Sequence, residues 1–346
     1  MKHVPLPFWA AFSREVRAGP GEGLTLLGEM LDGDPSVVAS TWRGGGFTAM
    51  FDFPLGFAMN DVFCRDERPA RLAAVLSSDR RYPAPERLVT LLDNHDLPRV
   101  MSACGGDVGR VRQALAFLFA MRGIPSLTWG TEVGLDGAKE PDNRKSMVFE
   151  LHPLGADVTF WLGARRAHPA LAEGVPVVLA VTADRLVIGR VAPSQLAVVV
   201  VGRGDEGLPA EAVGPWARAR RALSPPRWPT RAGVSVFVSP LEPGAFEALA
   251  RQADAQWRGG LTTRAITFEG PEGASVAGSG AELGDWSPAR ARALPLTVSL
   301  PLGAVFEFKA LRRKGGAVVW AEGPNGVVHV TAAGPSRVTV PAAFPP

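Results

Sequence analysis

The sequence predicts a multidomain chain: an α/β domain followed by two all-β segments. Three observations support this. Up to about residue 175, apolar runs of strand length alternate with helix-period stretches; from 176 the helices give way to successive short β runs; and near 262, after one more helical stretch, a second β series begins. The 346 residues provide length for two or three domains, each with its own core.

The elements follow in chain order. Pro7 to Ala18 reads as a helix, Leu24 to Met30 as a strand, Phe47 to Phe53 as a strand and Arg87 to Asn94 as a strand. Val108 to Gly123 is helical, Ile124 to Gly130 a strand and Phe160 to Leu171 helical. Strands that are apolar on both faces and alternate with helices imply a parallel sheet covered by helices. The runs PVVLAVTA, RLVIGRV, QLAVVVVG and VSVFVSP, over 176–240, suggest an antiparallel sandwich. PGAFEALARQADAQW is a connecting helix, and six β runs from Ala265 to Ala332, with glycine and proline at turn spacing, form a small separate module. The boundaries are 1–175, 176–242, 243–261 and 262–346.

Composition narrows the function. With 46% hydrophobic and 21% charged residues the chain is globular, and no apolar run nears the roughly 18 residues a membrane helix needs. No membrane partner is expected. The 37 basic and 34 acidic residues are scattered, and Arg312 to Lys314 reads as a solvated face, so no nucleic acid is expected either. Cys64 and Cys104 lack metal or redox spacing, and no disulfide dependence is expected. The start of the chain shows no secretory signal pattern.

Two strand ends carry acids. Glu29 closes LTLLGE, and Asp93, Asn94, His95 and Asp96 follow LVTLL. In β/α barrels, catalytic groups gather at the carboxyl ends of the strands, and a pair of acids there suits cleavage of a glycosidic bond. Blander roles are weighed beside this one: Asp93 as a loop cap, Asp32 and Asp34 as turn formers, and Glu132 as a structural acceptor near the site floor. His152 and His168 read as structural, and Trp42 and Phe51 as packing.

LLGEMLDGDP, LLDNHDLPR and GIPSLTWGTE, with DNRKSM (142–147) and RRAHPAL (165–171) after them, resemble the later conserved regions of the α-amylase family of glycoside hydrolases. The resemblance implies the second half of a (β/α)8 TIM barrel. It also implies that Glu29 is the general acid/base, that Asp96 stabilises the transition state, that Asn94 and His95 meet sugar hydroxyls, and that Arg99 is a partner behind them. The opening MKHVPLPFW resembles the stretch just after the family's nucleophile, with Lys2 and His3 lining the leaving-group subsites; the aspartate itself falls before Met1. Loss of a nucleophile costs roughly 10⁴ to 10⁶ in rate, so the chain alone is expected to be inactive or nearly so. A partial barrel leaves open edges through which the chain is expected to self-associate. No cofactor is expected here, although the resemblance allows calcium in a full-length protein, which would be secreted.

SVAGSGAELGDWSPARA, VFEFKAL and VVWAEGPNG resemble a starch-binding domain. Trp286 and Trp320 match its stacking pair, Lys309 the lysine beside them and Asn325 the hydrogen-bonding asparagine. Indoles stack on the apolar C–H faces of glucose rings, and two held at an angle select a curved α-glucan. The implied partners are starch, glycogen or maltodextrins, with a non-catalytic α-glucan-binding protein as the alternative.

Overall fold

The computed structural model describes residues 3–19, 21–182, 184–202, 216, 218–219, 221–223, 233–242, 244–257 and 262–345. Lys2 lies outside them. The first domain opens with α1 (Leu6–Ala18) and is built on four strands: β1 (Leu27–Gly28), β2 (Ala49–Phe51), β3 (Leu88–Leu91) and β4 (Ile124–Ser126). They pair in the order β1-β2-β3-β4, all parallel, with Leu27 opposite Ala49, Met50 opposite Leu88 and Val89 opposite Ile124. β1 and β4 are its edges, where Leu27 and Ile124 remain 43% and 51% exposed.

Between and after the strands lie α2 (Pro35–Gly45), α3 (Phe53–Cys64), α4 (Ala70–Leu76), α5 (Val100–Ala103), α6 (Val108–Ala120), α7 (Pro153–Ala167) and α8 (Pro169–Ala172). The sequence reading did not include α2, α3 or α4. Asp34, read as a turn former, caps α2 by accepting from the Ser36 amide at 2.8 Å, and Pro35 supplies the preset first position. α3 shows no polar face because nine of its twelve residues are buried, so its amphipathic signal is lost.

Cys64, at the end of α3, and Cys104, just after α5, form a disulfide. This corrects the expectation from sequence. A separation of 40 residues says nothing about proximity once the two helices share one core. Phe63 and Phe117 pack there with ring centroids 5.6 Å apart. Deeper still, Arg122 donates to Asp52 at 2.5 Å and, through Nε, to Asp79 at 2.6 Å; each of the three is at most 2% exposed.

The second domain differs from the predicted sandwich. Among the described residues, β5 (Val175–Val181), β6 (Arg185–Ala192), β7 (Gln195–Gly202), β8 (Arg221–Leu223) and β9 (Val234–Pro240) form one antiparallel sheet in the order β5-β6-β7-β9-β8. Both faces are covered, which is why every residue from Leu186 to Ala192 is buried. Leu186, Ile188 and Val199 join the core of α3 and α6, whereas Val187 and Val198 meet α9 (Ala245–Trp257) through Leu249 and Ala253. The predicted connecting helix is thus the sheet's second layer. Buried Arg190 pins the sheet to the first domain by donating to the carbonyls of Ala120, Leu171 and Gly174.

The third domain has β10 (Thr263–Glu269), β11 (Ser275–Gly278), β12 (Arg292–Ala293), β13 (Leu296–Pro301), β14 (Val305–Lys314), β15 (Ala317–Trp320), β16 (Gly326–His329) and β17 (Arg337–Thr339). One sheet runs β13-β10-β17; the other runs β12-β11-β14-β15, with β16 also on β14. Ile266, Phe268, Phe306 and Phe308 fill the space between them. This module is docked on the first domain. Arg80 pairs with Glu282 at 3.0 Å, Arg81 with Asp285 at 2.7 Å, and the Val305 amide donates to Ser77 Oγ at 2.8 Å. No helix among the described residues is long and apolar enough to cross a membrane.

Candidate active site and glucan-binding face

Gly28 lets β1 lie close to its neighbours: a Cβ there would stand 2.5 Å from Met50 Sδ and 2.9 Å from the Phe47 ring. The chain can then turn and present Glu29, half-buried, at the carboxyl end of the sheet. Two strands away, β3 ends in the Asp93 to Asp96 loop. Asn94 Nδ2 donates to Glu29 Oε1 at 3.4 Å, while Asn94 Oδ1 accepts from the Asp96 amide at 2.9 Å. One side chain therefore ties both strand ends together. His95 and Asp96 are exposed, and Asp96 Oδ1 accepts from Arg144 Nη2 at 2.7 Å, with His95 Nε2 3.4 Å away.

Asp93 and Arg99 lie beneath this surface. Arg99 has no exposed area; its Nε donates to Asp93 Oδ2 at 3.1 Å, its Nη1 to the Asn143 carbonyl at 3.5 Å and its Nη2 to the Trp129 carbonyl. Its guanidinium also lies over the Trp129 ring, 5.3 Å from the centroid. Asp93 Oδ2 accepts from the Val100 amide at 2.7 Å as well, which satisfies the start of α5. Arg99 thus acts through other residues rather than on a ligand.

Sequence reasoning took DNRKSM only as part of a resemblance, yet two of its residues clamp the loop. Asn143 Nδ2 donates to the carbonyls of His95 and Leu97 at 2.9 and 3.2 Å, and Arg144 Nε to that of His95 at 3.0 Å. Contacts across 48 residues leave no periodic signal that sequence alone could carry. His3 is exposed ahead of α1, and no hydrogen bond among the described residues joins it to Glu29 or Asn94. His152 caps α7 and His168 bonds Gln195 at 2.9 Å, both structural roles. Arg165 of RRAHPAL donates to the carbonyls of Phe119, Met121 and Leu171, closing the end of α6. Among the described residues no group of three or more His, Cys, Asp or Glu is placed to hold a metal ion.

On the third domain, Trp286 and Trp320 are both half-buried, with centroids 6.2 Å apart and planes inclined by 54°. Trp320 ends β15, whereas Trp286 sits on a turn in which Asp285 and Trp286 both adopt left-handed backbone, φ 48° and 59°. Such consecutive non-glycine residues are costly and persist where surroundings impose them. Asp285 is indeed held between Arg81 and Arg290. Lys309 donates to the Gly323 carbonyl at 2.6 Å. Burial, the largest effect, pushes the Glu307 carboxyl up from its ordinary value, while Arg71 opposes it.

Comparison with known proteins follows the same division. Residues 5–159 match the α-amylase catalytic-domain family and residues 267–340 the starch-binding-domain family. A β/α-amylase of Paenibacillus polymyxa is 31% identical over 182 residues, covering 50% of this chain and 14% of that protein. A cyclomaltodextrinase of Geobacillus thermopakistaniensis is 29% identical over 227 residues, covering 60% of this chain and 37% of that protein. An intracellular maltogenic amylase of Bacillus subtilis is 33% identical over 157 residues, 44% of this chain and 26% of that protein. The chain therefore spans between 14% and 37% of the length of these relatives. Among solved structures, an Anoxybacillus α-amylase superposes with a TM-score of 0.55 at 23% identity, covering 92% of this chain and 58% of the other. A cyclic α-maltosyl-(1→6)-maltose hydrolase from Arthrobacter globiformis gives 0.58 at 23% identity, covering 69% and 54%. At such identity these two likenesses speak for the fold alone.

Proposed function

With residues 5–159 belonging to the α-amylase catalytic-domain family and residues 267–340 to the starch-binding-domain family, we propose that the chain is part of a retaining glycoside hydrolase acting on starch and related α-1,4-glucans. The four-stranded sheet is then the second half of a (β/α)8 barrel. The observation that carries this reading is the Asn94 to Glu29 hydrogen bond, which draws together the carboxyl ends of β1 and β3, two strands apart in the sheet.

In this scheme Glu29 protonates the glycosidic oxygen as the bond to the anomeric carbon breaks, and that carbon passes to a carboxylate nucleophile. Glu29 then takes a proton from the water that displaces the nucleophile. On this reading the nucleophile's role falls to none of the described residues, and the chain alone turns over little or no starch. Asp96 stabilises the positive charge that develops on the sugar. Because Arg144 engages Asp96, a bound sugar has to compete with Arg144 or displace it. Asn94 and His95 meet hydroxyls beside the broken bond, Lys2 and His3 serve the leaving part of the glucan, and Arg99 positions Asp93. Trp286 and Trp320, inclined by 54°, stack on successive glucose rings of a curved chain. The longer protein is secreted, a reading supported by the Cys64–Cys104 disulfide, since such bonds persist in oxidising compartments.

A complementation assay tests the catalytic part. The chain is mixed with a polypeptide supplying the first barrel half and its aspartate, and reducing ends released from soluble starch are measured. Hydrolysis should appear, and Glu29→Gln in this chain should remove it by about 10³-fold or more. Restored hydrolysis that Glu29→Gln leaves intact would refute the assignment. The non-catalytic reading draws on the engagement of Asp96 by Arg144; it predicts retention on granular starch and no hydrolysis in any mixture.

A further inference from the structure

A cavity of about 350 Å³ lies between the first domain and the starch-binding module. Phe57, Arg71 and Ser78 form one wall, and Ser279, Trp286 and Glu307 the other. Its size falls within the range of about 300–1,000 Å³ typical of small-molecule sites. The walls are fixed relative to one another by the Arg80–Glu282 and Arg81–Asp285 pairs and by the Val305 to Ser77 hydrogen bond. Arg81 also sets the position of Trp286, because it grips Asp285, the residue before it on the left-handed turn. The first domain therefore preorganises one of the two indoles that the module uses.

The lining selects among ligands. Both guanidiniums that face the cavity are already paired: Arg71 with Asp61 at 2.6 Å and, more loosely, with Glu307 at 3.9 Å, and Arg81 with Asp285. A phosphate would have to break those pairs. Two aromatic rings and two serine hydroxyls, beside guanidiniums that are already paired, instead suit an uncharged ligand with apolar C–H faces and many hydroxyls. Gly33, Asp34 and Pro35 also line the cavity, only a few residues past Glu29, and Phe57 packs against Gly33 so closely that a Cβ there would lie 3.2 Å from its ring.

We propose that this junction binds a short α-glucan between Trp286 and Phe57, with the first domain completing the module's site and holding the sugar on the loop that follows Glu29. The proposal rests on the starch-binding reading of the module. Maltoheptaose binding is measured on the whole chain by calorimetry, with granular-starch retention alongside. Phe57→Ala should weaken maltoheptaose about tenfold, and Val75→Trp, which fills the cavity that Val75 of α4 lines, should weaken it similarly. Trp320 lies outside the cavity, so Trp320→Ala reports on the module alone and should reduce starch retention. Hydrogen exchange on the unmodified protein supplies a measurement free of folding effects: maltoheptaose should slow exchange in α3 and α4 as well as around Trp286. Protection confined to the module, or full affinity in both cavity variants while Trp320→Ala fails to bind, overturns the junction and leaves the module intact. Unchanged retention in Trp320→Ala overturns the starch-binding reading itself.

Discussion

Replacing Arg99 with methionine keeps most of the side chain's length and removes its charge. Arg99 is wholly buried and donates to the Asp93 carboxylate, to the carbonyls of Trp129 and Asn143, and to Thr131 Oγ1 at 3.4 Å. After the change Asp93, 2% exposed, keeps the Val100 amide at 2.7 Å but loses its cation. Removing one partner of a buried ion pair costs about 3–5 kcal/mol, because the other charge stays in a poor solvent for it. In a domain of this size that corresponds to a fall in melting temperature of roughly 10 °C. Differential scanning calorimetry of Arg99→Met, Asp93→Asn and the double variant measures the loss and the coupling. The double variant should lose less than the sum of the singles, by about 2 kcal/mol. A melting temperature within about 2 °C of the parent, or strictly additive losses, would refute the view that this pair holds the loops beneath Glu29 and Asp96.

Reduction, or Cys64→Ser, releases a 40-residue loop and should cost about 3–4 kcal/mol, read as a lower melting temperature in dithiothreitol; an unchanged melt would show that the bond constrains nothing. Burial pushes the His329 imidazole down to about 4, and its Nε2 is buried without a partner among the described residues. The unfolded chain therefore takes up the proton first. This contribution to stability is complete above about pH 6.5 and is lost between 6.5 and 4, by at most about 3 kcal/mol. Melting the chain across that range, His329→Gln should show a shallower decline than the parent, and equal slopes would sink the idea. Arg144 and Asp96 are an exposed pair, 43% and 42%, so Arg144→Ala should change stability by less than about 1 kcal/mol. Hydrogen exchange at His95 and Asp96 should nevertheless rise as Arg144's hold on the loop is lost, and protection equal to the parent's would count against the clamp.

The sequence by itself determined the order of elements and the chemistry at the strand ends. Local periodicity placed α1, α6 and α7, and glycine and proline spacing marked out the strands of the starch-binding module, because those signals lie within a few turns of chain. Family resemblance singled out Glu29, Asn94 and Asp96, and Trp286 with Trp320. Tertiary structure decided what depends on distant residues meeting. α3 is apolar on nearly every side because other elements surround it, so its helix leaves no stripe to read, and where a sandwich was expected the described residues form one sheet, covered on both faces and backed by α9. Cys64 found Cys104, Arg144 found Asp96, and Arg81 found Asp285 across gaps that no local pattern encodes. Burial and long-range pairing are properties of the packed chain, which is why the candidate acids were legible in the sequence while their supports, and the cavity beside Trp286, became visible only once the domains had docked.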